Sequence, residues 1–244
     1  MVGNTHLVDT LRKLGVNITV IFGPEHGFRG TADAGEKIGN YTDDRTGIPV
    51  ISLYGSKRRP STEDLANVDI MIFDIQDVGV RFYTYISSLQ YYLEAALENH
   101  KPLMILDRPN PNGFFVDGPV LDTAYKSFIG MQPVPIVYGM TIGEFAQMIN
   151  GEGWLGEGKK CVLTVIPCTN YTHASVYELP VKPSPNLPNN HAIYLYPSIC
   201  LFEGTEVSVG RGTDKQFQVI GSPDYTIGDY TFTPVPMEGA KTPP

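Results

Sequence analysis

Apolar residues along the chain fall into two rhythms. Residues 17–22, 50–54, 69–73, 103–106 and 161–166 are short, nearly continuous apolar runs, the pattern of strands buried on both faces. Between them the spacing changes to that of helices. Leu7, Val8, Leu11 and Leu14 share one helical face over 4–14, with Asn4 or Thr5 as cap and Gly15 just past the end. Phe82, Tyr85, Ile86, Leu89, Leu93, Ala96 and Leu97 form the face of a longer helix. Ser61-Thr62-Glu63-Asp64 reads as a further helix start. Thr141 with Glu144 three positions later is a capping box ahead of Phe145, Met148 and Ile149, which gives Glu144 a structural role. Buried strands alternating with amphipathic helices predict an α/β fold, a parallel sheet flanked by helices.

The grammar changes beyond about residue 158. After the run at 161–166 comes a Pro- and Asn-rich stretch, 171–190, without helical period. Residues 191–200 alternate weakly, and the rest is rich in turns. A second, smaller α+β region packed on the first is the expectation.

In the first region the strands end in polar clusters. Phe22-Gly23-Pro24-Glu25-His26-Gly27-Phe28-Arg29-Gly30 follows the first strand, Asp74-Ile75-Gln76-Asp77-Val78-Gly79-Val80-Arg81 a middle one, and Asp107-Arg108-Pro109-Asn110-Pro111-Asn112-Gly113 a later one. Strand ends of one sense lie along one edge of a parallel sheet, where such folds bind ligands. Glu25, His26, Asp74, Asp77, Arg81, Asp107 and Arg108 are therefore expected to converge on one cleft. The plainer reading of Glu25-His26 is a solvated turn. No Gly-x-Gly-x-x-Gly follows the first strand, so a dinucleotide is not supported.

Composition narrows the classes. The chain has 244 residues, 42% hydrophobic and 18% charged, as in soluble globular proteins. No run is long enough to span a membrane, and the first residues lack a signal-peptide pattern. The formal charge of −8 argues against nucleic acid as a partner. The one basic cluster, Lys57-Arg58-Arg59 before Pro60, is assigned to a solvated loop. Cys161, Cys168 and Cys200 have no metal-type spacing and read as free thiols.

Several further motifs complete a pattern: Asp33-Ala34-Gly35-Glu36-Lys37, Asp117-Gly118-Pro119-Val120-Leu121-Asp122, Gly139 to Glu144, Gly151-Glu152-Gly153-Trp154, Leu201-Phe202-Glu203-Gly204-Thr205 and Gly210-Arg211-Gly212-Thr213. Together with the strand-end clusters, and in this order over nearly the whole chain, they resemble the NamZ-type exo-β-N-acetylmuramidases. The resemblance implies a Rossmann-like domain, 1–157, a smaller α+β domain, 158–244, and an active site between them. It implies release of terminal N-acetylmuramic acid from the non-reducing ends of peptidoglycan fragments, without a cofactor, outside the cytoplasm. Family members carry an additional strand before this one and extend past Pro244, so truncation at both ends is expected.

The resemblance points to Glu25 and His26 as the reacting pair. Glycoside hydrolysis needs a proton donor for the leaving oxygen and a group that meets the oxocarbenium-like centre. Glu25 is the candidate acid/base, with His26 tuning it, orienting it or sharing the proton. Asp74, Asp77 and Glu203 are candidates for the second carboxylate, and the substrate's own 2-acetamido group is an alternative. Asp77 can instead cap the next helix, and Glu203 can link the two regions. Arg29, Arg81, Arg108 and Arg211 are the guanidinium options for the lactyl carboxylate, although Arg81 can pair with Asp77, and Arg108 with Asp107. Gln76, Tyr83 and Asn110 complete the substrate-binding set, with one of Tyr83 and Tyr85 expected in the cleft and the other in the core. Glu25, His26, Asp74 and Asp77 also include plausible metal ligands, but adjacent Glu-His side chains rarely meet one ion and no His-Glu-x-x-His is present. A non-catalytic sugar-binding module is the rival of a different class.

Overall fold

The computed structural model describes residues 5–29, 36, 39–225 and 228–241. Asn4, Gly30 and the Asp33 to Lys37 motif, apart from Glu36, lie outside them. Helix α1 (Leu7–Lys13) leads into β1 (Ile21–Gly23), β2 (Tyr41–Thr42), β3 (Pro49–Ser52), β4 (Met71–Phe73), α2 (Tyr85–Glu98), β5 (Leu103–Leu106), α3 (Ile142–Gly151), β6 (Leu163–Ile166) and α4 (Asn190–Ile199). Short 3₁₀ turns span Thr123–Tyr125 and Cys200–Gly204.

The strands form two three-stranded sheets, ordered β1-β3-β2 and β4-β5-β6. All pairings are parallel except that of β2 with β3. This is the α/β fold expected, and β6, from beyond residue 157, is the third strand of the second sheet. Tyr92 of α2 joins the two sheets, its ring edge-on to Phe22 of β1 (5.7 Å) and to Phe73 of β4 (5.8 Å). Ile86, Leu89, Leu93 and Ala96 on α2 meet Met71, Phe73, Leu103 and Ile105 on the strands and Ile142, Phe145 and Ile149 on α3 in one apolar cluster. Beyond β6, helix α4, the 3₁₀ turn and isolated bridges such as Ser208 with Gly221 make up a smaller region. Its apolar residues Leu187, Ile193, Tyr196 and Phe217 gather around Val78, Val80, Tyr83 and Tyr85, so the segment between β4 and α2 serves as their common floor.

Four local expectations are corrected. The cap of α1 is His6, whose ring accepts from the Val8 N–H at 3.4 Å. The first strand is regular only over Ile21–Gly23. Ser61 to Asp64 does close a cap, with the Ser61 N–H donating to Asp64 at 2.7 Å, but the six residues from Leu65 to Ile70 before β4 form turns alone, and Leu65 plugs the core. Residues 191–200 are helical instead of alternating: the Asn189 side chain accepts from the Ala192 N–H at 2.9 Å, and Ala192, Ile193 and Tyr196 form one buried face.

Candidate active site

β1 delivers its chain end into a tight turn. Gly27 N–H donates to Pro24 C=O at 3.0 Å, closing Pro24–Gly27, and His26 sits at the third position with φ +69°. Left-handed backbone is uncommon for side-chain-bearing residues, and histidine is among those that adopt it more readily. The His26 side chain is buried. Glu25 Oε2 accepts from Thr84 Oγ1 at 3.0 Å. Thr84 is the cap residue of α2 yet makes no side-chain capping bond; its hydroxyl is given to Glu25 instead. Tyr85 donates to the Glu25 carbonyl at 3.3 Å. The Tyr54 hydroxyl hydrogen-bonds the Glu25 carboxylate, and burial, reinforced by that negative charge, pushes it up to about 12, so Tyr54 stays protonated as a donor. Loops after β1 and β3 and the start of α2 thus fix one carboxylate among hydroxyl donors.

This carboxylate lies on the wall of a hollow of about 570 Å³. Glu25, His26, Tyr54, Tyr83, Thr84 and Tyr85 from the first region and Asn186, Tyr196, Glu203, Arg211 and Phe217 from the smaller region line it together. Glu203 is held at both oxygens: Arg211 Nε donates to Oε1 at 3.1 Å, and the Cys200 thiol donates to Oε2 at 2.9 Å. The Arg211 guanidinium in turn lies 5.1 Å from the Phe217 ring centre.

Of the residues singled out in the sequence for the site, Glu25, His26, Tyr83, Tyr85, Glu203 and Arg211 meet at this hollow. Asp74, Asp77, Asp107, Arg29, Arg81, Arg108, Gln76 and Asn110 do not line it. Asp74 forms an ion pair with Arg108, so Arg108 is paired with this acid rather than with its neighbour Asp107. Asp107 instead anchors the start of α3, accepting from Thr141 Oγ1 at 2.7 Å and Gly143 N–H at 2.8 Å. Arg29 grips Asp43 through Nε (3.1 Å) and Nη2 (2.8 Å), and reaches Asp9 at 3.3 Å. Arg81 Nη1 donates to the carbonyls of Pro119 (2.8 Å) and Val134 (2.5 Å) and not to Asp77. Gln76 Nε2 donates to the Asp77 and Pro109 carbonyls, both at 2.8 Å, and Asn110 Nδ2 donates to the Met140 carbonyl at 2.8 Å. Tyr83 and Tyr85 both face the hollow, because their rings pack edge to face at 4.9 Å instead of parting to opposite sides. Among the described residues no three His, Cys, Asp or Glu side chains gather as a metal-binding group.

The N-terminal model of the exo-β-N-acetylmuramidase NamZ matches residues 2–191, and the C-terminal model of the same proteins matches 194–234. The chain belongs to the NamZ family. It is 48% identical over 213 residues to the peptidoglycan β-N-acetylmuramidase NamZ of Bacillus subtilis strain 168, a match that takes in 85% of this chain and 50% of that protein. Two crystal structures of DUF1343 family proteins from Bacteroides fragilis NCTC 9343 are similar to it. The one at 1.30 Å resolution has a TM-score of 0.91 and 55% identity over 100% of this chain and 65% of its own. The one at 1.65 Å has a TM-score of 0.79 and 37% identity over 88% and 56%. The chain thus spans about half the length of its Bacillus relative.

In this NamZ-family chain Asp77 sits beneath the hollow, buried behind its tyrosine floor. It accepts from the Tyr138 hydroxyl and from the Gly79 N–H at 2.6 Å, while Oδ1 has no partner among the described residues. Burial outweighs the lowering effect of the Tyr138 hydroxyl and of the Gly79 and Val78 N–H groups and raises its pKa to about 7. An acid whose pKa is higher folded than unfolded binds its proton more tightly in the folded state. Its stabilising contribution is complete below about pH 4 and is lost as pH rises through about 7. Thermal unfolding should therefore show stability falling across that window by at most about 1.4 kcal/mol per pH unit on this account. Asp77→Asn, which copies the neutral acid, should flatten that slope; an unchanged slope in the variant would assign it to other groups.

Sequence reading missed Tyr54, Arg58 and Thr84 on one wall and Tyr196 and Phe217 on the other. Tyr54 and Arg58 had a usable signal. Tyr54 and Arg58 follow β3, which runs parallel to β1 and so ends on the same edge as Glu25. Tyr196 and Phe217 had none, since only the packing of α4 on the post-β4 segment brings them in.

Proposed function

We propose that this chain carries the catalytic hollow of an exo-β-N-acetylmuramidase, a glycosidase that releases terminal N-acetylmuramic acid from peptidoglycan fragments at the outer side of the cytoplasmic membrane. The observation that carries the reading is that Glu25, oriented by Thr84 and Tyr54, and a second carboxylate, Glu203, line one hollow together with the guanidinium groups of Arg58 and Arg211. Glu25 serves as the acid/base at the glycosidic oxygen, and buried His26 holds the turn that presents it and shares its proton traffic. Glu203, bound on both oxygens, positions Arg211 and places negative charge where an oxocarbenium-like centre develops. The tyrosine walls supply flat apolar surface with hydroxyl tips, suited to a sugar ring. Asp74 and Asp77 support the walls from behind.

The test is hydrolysis by the 244-residue chain. A chromogenic N-acetylmuramide should be cleaved, with release followed optically, and the matching N-acetylglucosaminide should be cleaved far more slowly. Faster cleavage of the glucosaminide would overturn the substrate assignment. Binding of the muramide without any turnover would favour the sugar-binding module.

A further inference from the structure

Resting on that substrate reading, we infer that Arg58 is the residue that reads the ligand's carboxylate and so separates an N-acetylmuramoyl from an N-acetylglucosaminyl end. The two sugars differ by a lactyl ether bearing one negative charge. A hollow that already presents Glu25 and Glu203 must compensate that charge with a cation whose own charge is not already matched.

Four arginines suggested by their motifs fail that requirement. Arg29 is paired with Asp43 and Asp9, Arg108 with Asp74, and Arg211 with Glu203, while Arg81 caps two carbonyls away from the hollow. Arg58 lines the hollow together with Glu25 and forms no ion pair among the described residues. Its neighbours in the basic cluster are both committed, Lys57 to Asp64 and Arg59 to Glu98.

Arg58 is also held in place. Its guanidinium carbon lies 4.2 Å from the centre of the Phe128 ring, which lines the same hollow, and Nε points to the Gly55 carbonyl at 3.4 Å. Nη1 and Nη2 donate to no group among the described residues, and they form the end of the fork that grips a carboxylate in a bidentate pair. Stacking on Phe128 lowers the rotamer entropy lost when the ligand binds. Arg58 and Glu25 both act on the Tyr54 hydroxyl, which places the cation within electrostatic reach of the acid/base.

The experiment measures binding by calorimetry to the full chain, with N-acetylmuramic acid, its methyl ester and N-acetylglucosamine as the probes. The ester keeps the lactyl bulk and removes only the charge. The unaltered chain should bind the acid about 10- to 100-fold more tightly than the ester, the range for a charge-assisted pair. Arg58→Gln should bind acid and ester alike, and Arg58→Lys should fall between, because it keeps the charge and loses the fork. Equal melting temperatures of the three proteins establish that folding is not the cause. If Arg58→Gln still prefers the acid as the parent does, the inference is overturned and the substrate reading stands. If the parent chain does not prefer the acid, whether by binding all probes equally or none, the inference and the substrate reading fail together.

Discussion

Glu25→Gln is expected to lower turnover of a chromogenic N-acetylmuramide by roughly 10³-fold, within the span of 10² to 10⁴ attributed to a positioned acid/base. The substitution is close to isosteric. Its carbonyl oxygen can still accept from Thr84 Oγ1, now 3.0 Å from Oε2, and from the Tyr54 hydroxyl, so the wall of the hollow keeps its shape. On the proposed reading, what is lost is the group that exchanges a proton with the glycosidic oxygen. KM and melting temperature should therefore move little while kcat falls. Initial rates at saturating substrate make the distinction. A variant keeping more than about a tenth of the parent's kcat would remove Glu25 from the reaction. A fall in affinity of the same size with kcat intact would show that Glu25 binds the sugar uniformly instead of acting in the transition state.

How far the sequence could be read follows from the range of the signals. Continuous apolar runs such as Met71–Phe73 and Leu103–Leu106 need only their own composition to be recognised as buried strands. The Thr141–Glu144 capping box is complete within four residues, and the structure contains both of its bonds. Glu25 and His26 were legible because ionisable side chains between Gly23 and Gly27 directly after an apolar strand do not build a core. Of the four arginines named, only Arg211 lines the hollow; the other three do not. A guanidinium reaches several ångströms, and its partner is decided by the fold: Arg29 finds Asp43, Arg108 finds Asp74, and Arg81 finds Val134, 14, 34 and 53 positions away. Arg58 went with Lys57 and Arg59 to a solvated loop before Pro60, although those two neighbours pair with Asp64 and Glu98 and Arg58 lines the hollow. Helix α4 was hidden for a different reason: Pro197 and tyrosines dilute an apolar face that makes sense only against Val78 and Tyr83.

The largest loss of stability is expected at Asn112, which lies in the Pro-Asn-Pro-Asn stretch yet is wholly buried. Its Nδ2 donates to the Val78 carbonyl at 2.9 Å and to the Ile193 carbonyl at 3.2 Å, while its Oδ1 has no partner among the described residues. One amide therefore pins the loop after β5 to both the post-β4 segment and α4, the two pieces that carry Tyr83 and Tyr196 to the hollow. Asn112→Ala removes both donors and leaves a small void, a combined cost of about 2–4 kcal/mol. Asn112→Asp keeps the volume and aims oxygen at two carbonyl oxygens, so the buried acid must either hold a proton or face them charged. It should cost at least as much as alanine at neutral pH and recover part of the loss as pH falls. Urea unfolding followed by tryptophan fluorescence at pH 5 and pH 7.5 separates the causes. If aspartate were as stable as asparagine at pH 7.5, volume alone would account for the site and the donated hydrogen bonds would not hold the two walls together.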